Sequence, residues 1–140
     1  MKLFLSATLA TITFLFAACS KSDPHDAPRD NKAYESVDPS QLELPALIAH
    51  LNLLATETQA AVDAKAAVEF HHLEVALTPT LDAIQAKAGP KAATIKPSID
   101  TLKALALKLH ESGHDNNIGM ASKISQKFSE LIPQIETALK

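Results

Sequence analysis

From Pro45 onward, apolar residues recur at steps of three and four, the spacing that puts side chains on one face of an α-helix. A first segment, from about Pro45 to Val62, carries Leu47, Leu51, Leu54, Thr58 and Ala61 on one stripe, flanked by Ile48 and Val62. Pro45 suits a first turn, where its missing amide removes no helical hydrogen bond. A second segment follows Asp63, whose side chain can cap a helix N-terminus. Its stripe is Phe70, Leu73, Leu77, Leu81 and Ile84, and Gly89-Pro90 ends it. The third segment, from about Lys91 to Ser112, has Ile95, Ile99, Leu102, Ala106 and Leu109, with Gly113 placed as a left-handed C-cap. Asp115, Asn116 and Asn117 offer caps to a fourth segment, whose stripe is Ile118, Ala121, Ile124 or Ser125, Phe128, Leu131 and Ile135.

Short connections between helices of similar length make sequential helices antiparallel neighbours. The predicted fold is therefore all-α, an up-down antiparallel four-helix bundle over residues 39–140. Its weakest joint is Asp63–Lys65, which lacks Gly or Pro. A helix running straight through there would give a three-helix arrangement or a swapped dimer instead. Pro79, Pro97 and Pro133 fall inside helical patterns, where each removes a hydrogen bond. In an up-down fold they map, with Pro45, to one end of the bundle, which is expected to be splayed around a small cleft.

Composition agrees with helix. Ala, Leu, Lys and Glu dominate residues 39–140, and Phe70 and Phe128 are the aromatics there. A sheet would carry more aromatic and β-branched residues. About 100 residues suffice for one small domain and not two.

The first 38 residues read differently. MKLFLSATLATITFLFAAC is one Lys, an apolar run of 14 residues from Leu3 to Phe16, two small residues and the only cysteine of the chain. The run is too short for a comfortable membrane span of about 20 residues, and its layout is that of an export signal. Leu15-Phe16-Ala17-Ala18-Cys19 resembles the lipobox of bacterial lipoproteins. The resemblance implies cleavage after Ala18, with residues 1–18 as signal peptide, and acylation of Cys19. Ser20, rather than Asp, implies the outer membrane, with the domain facing the periplasm. It also accounts for a lone cysteine in an exported chain, where even counts are the rule. Residues 19–38 include KSDPHDAPRDNKAYESVD, which is polar and without apolar periodicity. They are read as a lipidated, flexible spacer, with His25 a solvated linker residue.

Charge and cysteine usage remove several classes of function. The formal net charge is -3 and Arg29 is the only arginine. Without a basic stripe or stacking aromatics, nucleic-acid binding is set aside. No Cys-x-x-Cys-His is present for covalent haem, and no Gly-rich phosphate loop, Gly-x-Ser-x-Gly elbow or His-Glu-x-x-His zinc motif occurs. The chain is read as a binder and not an enzyme.

Histidines are the remaining chemistry. Folding the second and third helices about Gly89-Pro90 brings residues whose numbers sum to about 179 to one height, so His71 and His110 fall within a turn of each other. Folding the third and fourth about His114 places Met120 near His110. The end opposite the prolines therefore gathers His71 or His72, His110, His114 and Met120, with Glu69, Glu74 and Glu111 nearby. Imidazole suits Zn, Cu and Ni, and a thioether favours Cu(I). His71 and His72 point about 100° apart on a helix, so at most one faces inward. His71 and His110 are expected to be semi-buried at best, and Gly113 to end the helix between His110 and His114. The plainer reading is four solvated histidines on a polar helix end, and His50 is likewise read as a helix-surface residue.

His110-Glu111-Ser112-Gly113-His114, followed by Met120-Ala121-Ser122-Lys123, resembles the Gly-His turn and Ala/Lys-rich helix of small histidine-bearing metal-binding proteins of the bacterial periplasm. In plan the bundle also resembles cytochrome b562, although haem needs a His or Met pair facing one pocket, and the sequence places none. The leading expectation is a lipid-anchored periplasmic bundle that binds an envelope protein or a second copy of itself. The alternative is buffering or sensing of Cu, Zn or Ni through the histidine end.

Overall fold

The structure is a computed structural model that describes residues 29–140. Cys19, the signal-like segment, His25 and the first part of the spacer lie outside the described residues. Four helices make up the domain: α1 (Leu44–Asp63), α2 (Ala67–Lys87), α3 (Ala92–His114) and α4 (Ile118–Leu139). Each packs on the next, and α1 closes against α4. Among the described residues there is no strand, and no helix is long and apolar enough to cross a membrane.

The expected stripes form the core. Leu47, Leu51 and Leu54 of α1 meet Phe70, Leu73, Leu77, Leu81 and Ile84 of α2, Ile95, Ile99, Leu102, Ala106 and Leu109 of α3, and Ala121, Ile124 and Phe128 of α4. In α4 the stripe continues through Ile132 and Ile135, and Leu131 is only partly buried. Burying Leu, Ile or Phe contributes about 1.5–3 kcal/mol per side chain, the main term holding such a bundle together.

The turns distribute their duties differently from the sequence reading. Gly89 takes a left-handed φ of 55° and a 3₁₀ turn, Gly89–Lys91, leads into α3. Asp63 does not cap α2. It is the last residue of α1 and accepts a hydrogen bond from Gln59 Nε2 at 2.8 Å. The break falls at Ala64–Ala66, with Lys65 at φ 53°, so α1 and α2 are separate helices. Gly113 does not terminate α3. The left-handed residue is Asn116, at φ 50°, a position Asn tolerates better than most side chains. Asn117 caps α4, its Oδ1 accepting from the Met120 amide at 3.0 Å.

The proline end keeps a closed core, with Leu47, Ile84, Ile95 and Ile135 buried and Pro79, Pro97 and Pro133 exposed, and its cleft is a surface groove of about 490 Å³ between α1 and α4 lined by Leu44, Pro45, Ile48 and Leu139. A proline on the outward face leaves the carbonyl four residues before it in water, so the lost hydrogen bond does not open the core. The end of the segment expected to be a flexible spacer is docked on the bundle. A 3₁₀ turn at Ala33–Ser36 buries Tyr34 to 2% exposure, and Arg29 pairs with Glu35 and, at 3.7 Å, with Glu69 of α2. The Tyr34 hydroxyl reaches Glu69 at 3.3 Å. Burial, then the Glu69 carboxylate, push this phenol well above its ordinary range. A second 3₁₀ turn, Pro39–Gln41, follows, and Lys87 Nζ donates to the Leu42 carbonyl at 2.6 Å. Residues 29–43 thus run from the α1–α2 turn to the far end of α2. A single aromatic in a polar stretch has no periodicity to announce it, yet Tyr34 is buried and, with the Arg29 and Lys87 contacts, holds the segment against the bundle.

Candidate metal centre

α2 carries His71 on its second turn, and α3 carries His110 and His114 on its last two. Because α3 continues through Gly113, His110 and His114 stand one turn apart on a single face, the i, i+4 relation that lets two side chains meet. Gly113 is what lets α2 approach. A Cβ at this position would sit 2.9 Å from the Ala67 carbonyl oxygen and 3.0 Å from His71 Nε2. The missing side chain leaves a notch, and the His71 imidazole occupies it. His71 is therefore 1% exposed and not semi-buried, as the sequence suggests.

The three rings pack against one another. The centroid of His71 lies 4.4 Å from that of His110 and 4.4 Å from that of His114, and the His110 and His114 centroids are 4.9 Å apart. His110 Nε2 and His114 Nε2 face each other at 3.1 Å. One nitrogen from each of the three residues can be chosen so that all lie within 4.8 Å of one another. Tetrahedral zinc with bonds of about 2.0–2.1 Å needs nitrogens roughly 3.3 Å apart. The His110–His114 pair already meets that demand. His114 is exposed and His110 is 30% exposed, so both have room to turn toward a metal held against the buried His71.

Beyond the rings stands Glu74, one turn along α2 from His71. Its Oε2 lies 3.6 Å from His110 Nδ1, and its Oε1 accepts from the Thr78 hydroxyl at 3.1 Å. A carboxylate on the far nitrogen of a ligand histidine fixes the ring and makes its other nitrogen the better donor. Sequence register could place Glu74 at this end, but its pairing with His110 depends on how α2 and α3 are rotated.

Among the described His, Cys, Asp and Glu residues the converging donors are His71, His110 and His114, without His72. His72 points to the adjacent face, as the 100° step requires. There it lines a groove of about 380 Å³ with Tyr34, His50, Val75 and Pro79. Met120 stands in the first turn of α4 and is 42% exposed. His50 is 7% exposed and not a surface residue, because the docked 29–43 segment covers that side of α1. Desolvation lowers its pKa below the ordinary imidazole value. The plainer expectation of four solvated histidines is corrected for His71 and His110. Comparison with protein-family models, curated proteins and solved structures finds no match.

Proposed function

We propose that this chain is a lipid-anchored envelope protein whose helical bundle binds a divalent transition-metal ion through His71, His110 and His114. The observation that carries the reading is the convergence of three imidazoles within 4.8 Å, contributed by two helices and seated on a glycine notch. Neutral imidazole suits Zn, Cu and Ni, and three nitrogens in a tetrahedral disposition suit Zn best. This convergence moves metal binding ahead of protein-partner binding, the leading expectation from the sequence. Among the described residues no nucleophile with a paired base stands beside the rings, and binding, buffering or sensing of the ion is the activity proposed.

The anchor is part of the same proposal and rests on the lipobox-like leader. Acylated Cys19 would stand ten residues before Arg29, the first described residue and one already paired with Glu69 near the histidine end. Ten residues reach at most about 35 Å when extended, so the tether would hold the histidine end close to the bilayer.

Titration with Zn, Cu and Ni, beside variants His71→Ala, His110→Ala and His114→Ala, tests the metal. Stoichiometric uptake lost in all three variants is expected. Uptake unchanged by the three substitutions, or absent from the parent protein, refutes the reading. Incorporation of labelled palmitate, lost in Cys19→Ala, tests the anchor separately.

A further inference from the structure

The cluster supplies three nitrogens, whereas zinc and cobalt in such sites take four ligands. Among the described His, Cys, Asp and Glu residues, no fourth donor joins the three within the same distance. The nearby carboxylates are otherwise engaged or point outward. Glu74 has one oxygen on Thr78 and the other facing the far nitrogen of His110, on the side of the ring away from His114. Glu69 faces Arg29 and Tyr34. Glu111 and Asp115 are exposed. The three ligand residues also differ in depth: His71 forms the floor, His110 is half-buried and His114 is at the surface. A metal on this tripod is closed by protein behind and open to solvent in front.

Resting on the metal reading above, we infer that the bound ion keeps one coordination position for a ligand from outside the chain. That position takes water at rest and a small monodentate anion in exchange. Glu74 in this arrangement is a positioning residue for His110 and not a metal ligand. The same opening gives an incoming donor access to the metal without unfolding of the bundle. The site would then suit an exchangeable ion better than a permanent structural one, since structural zinc sites are filled by four protein ligands.

Cobalt(II) is the probe, because its visible absorption reports coordination number and ligand exchange. The full chain, loaded with Co(II), is titrated with azide, alongside Glu74→Gln. The expected result is a tetrahedral cobalt spectrum that shifts saturably with azide in the parent protein. Glu74→Gln should bind cobalt roughly 10–100-fold more weakly while keeping the same azide response. A parent spectrum indifferent to azide would show that the chain fills the fourth position, and overturns the inference while leaving the metal reading intact. Azide sensitivity that appears only in Glu74→Gln would identify Glu74 as the fourth ligand and overturns it equally. Absence of any cobalt spectrum from the parent protein overturns both readings.

Discussion

Replacing Gly113 by alanine separates two opposed effects whose sizes can be worked from the geometry. Gly113 lies inside α3, where alanine is favoured over glycine by about 0.8–1.0 kcal/mol through helix propensity alone. Against that, the new methyl would lie 2.9 Å from the Ala67 carbonyl oxygen and 3.0 Å from His71 Nε2. The first neighbour is backbone and cannot swing away, so α2 and α3 must part or the His71 ring must leave its notch. Overpacking of this kind costs about 1–3 kcal/mol. The sum is a net destabilisation of about 0–2 kcal/mol. Gly119 is the matched control. It lies in the first turn of α4, and an added Cβ meets only Asn117 Oδ1, at an ordinary 3.7 Å. Gly119→Ala should gain the helix-propensity term of about 0.8–1.0 kcal/mol, leaving Gly113→Ala the less stable of the two by about 1–3 kcal/mol. Urea unfolding followed by far-ultraviolet circular dichroism reads both, provided the m-values stay equal. Gly113→Ala should also weaken zinc binding, since the clash displaces a ligand ring, and Gly119→Ala should not. If Gly113→Ala proved as stable as Gly119→Ala and bound zinc normally, the notch would not be what seats His71.

Other expectations follow from the same contacts. Tyr34→Ala should destabilise the domain by about 3 kcal/mol, the lower range for emptying a buried aromatic site, and Tyr34→Phe by about 0.5–1.5 kcal/mol for the lost hydroxyl contact with Glu69. If both matched the parent in urea unfolding, the docked segment would contribute nothing. His50 binds its proton more weakly folded than unfolded, because burial disfavours the charged ring. The unfolded chain therefore takes up more protons below about pH 6.5, and stability falls as pH drops through that value toward the depressed folded pKa. His50→Leu should flatten that part of the pH profile in chemical denaturation, and an unchanged slope would contradict its burial. Zinc at a hundredfold above its Kd should stabilise the parent by about 2.7 kcal/mol, reversibly with a chelator. The surface substitution His114→Ala should abolish most of that gain without altering the metal-free melting temperature. Equal zinc stabilisation of parent and variant in thermal melts would exclude His114 as a ligand.

The helix stripes were legible because helix formation and burial follow one periodicity. A residue such as Leu51 or Phe70, placed every third or fourth step among polar neighbours, has only the bundle interior in which to leave water. Gly89-Pro90 was equally readable, since its backbone demand is local. The joint at Asp63–Lys65 was harder. No residue there compels a break, and the separation of α1 from α2 is set by how both helices pack once the chain reverses.

The histidine site shows the same division. Spacing alone brings His71, His110 and His114 to one end, and the 100° helical step allows only one of His71 and His72 to face in. Spacing also left Gly113 looking like a helix stop, because glycine serves a C-cap and a close helix approach equally well. Met120 stands in the first turn of α4 and is 42% exposed, a rotation about the α4 axis that sequence register does not fix. His50 and Tyr34 have no local signal for burial, and both line the groove that residues 29–43 form against the bundle. Local propensity and hydrophobic period, which act within a few residues of chain, thus decided the helices, the core and the end on which the imidazoles stand. The rotation of each helix, the glycine notch between α2 and α3 and the docking of the N-terminal segment were decided only in three dimensions, because they arise from steric and solvent-exclusion contacts between residues distant in the chain.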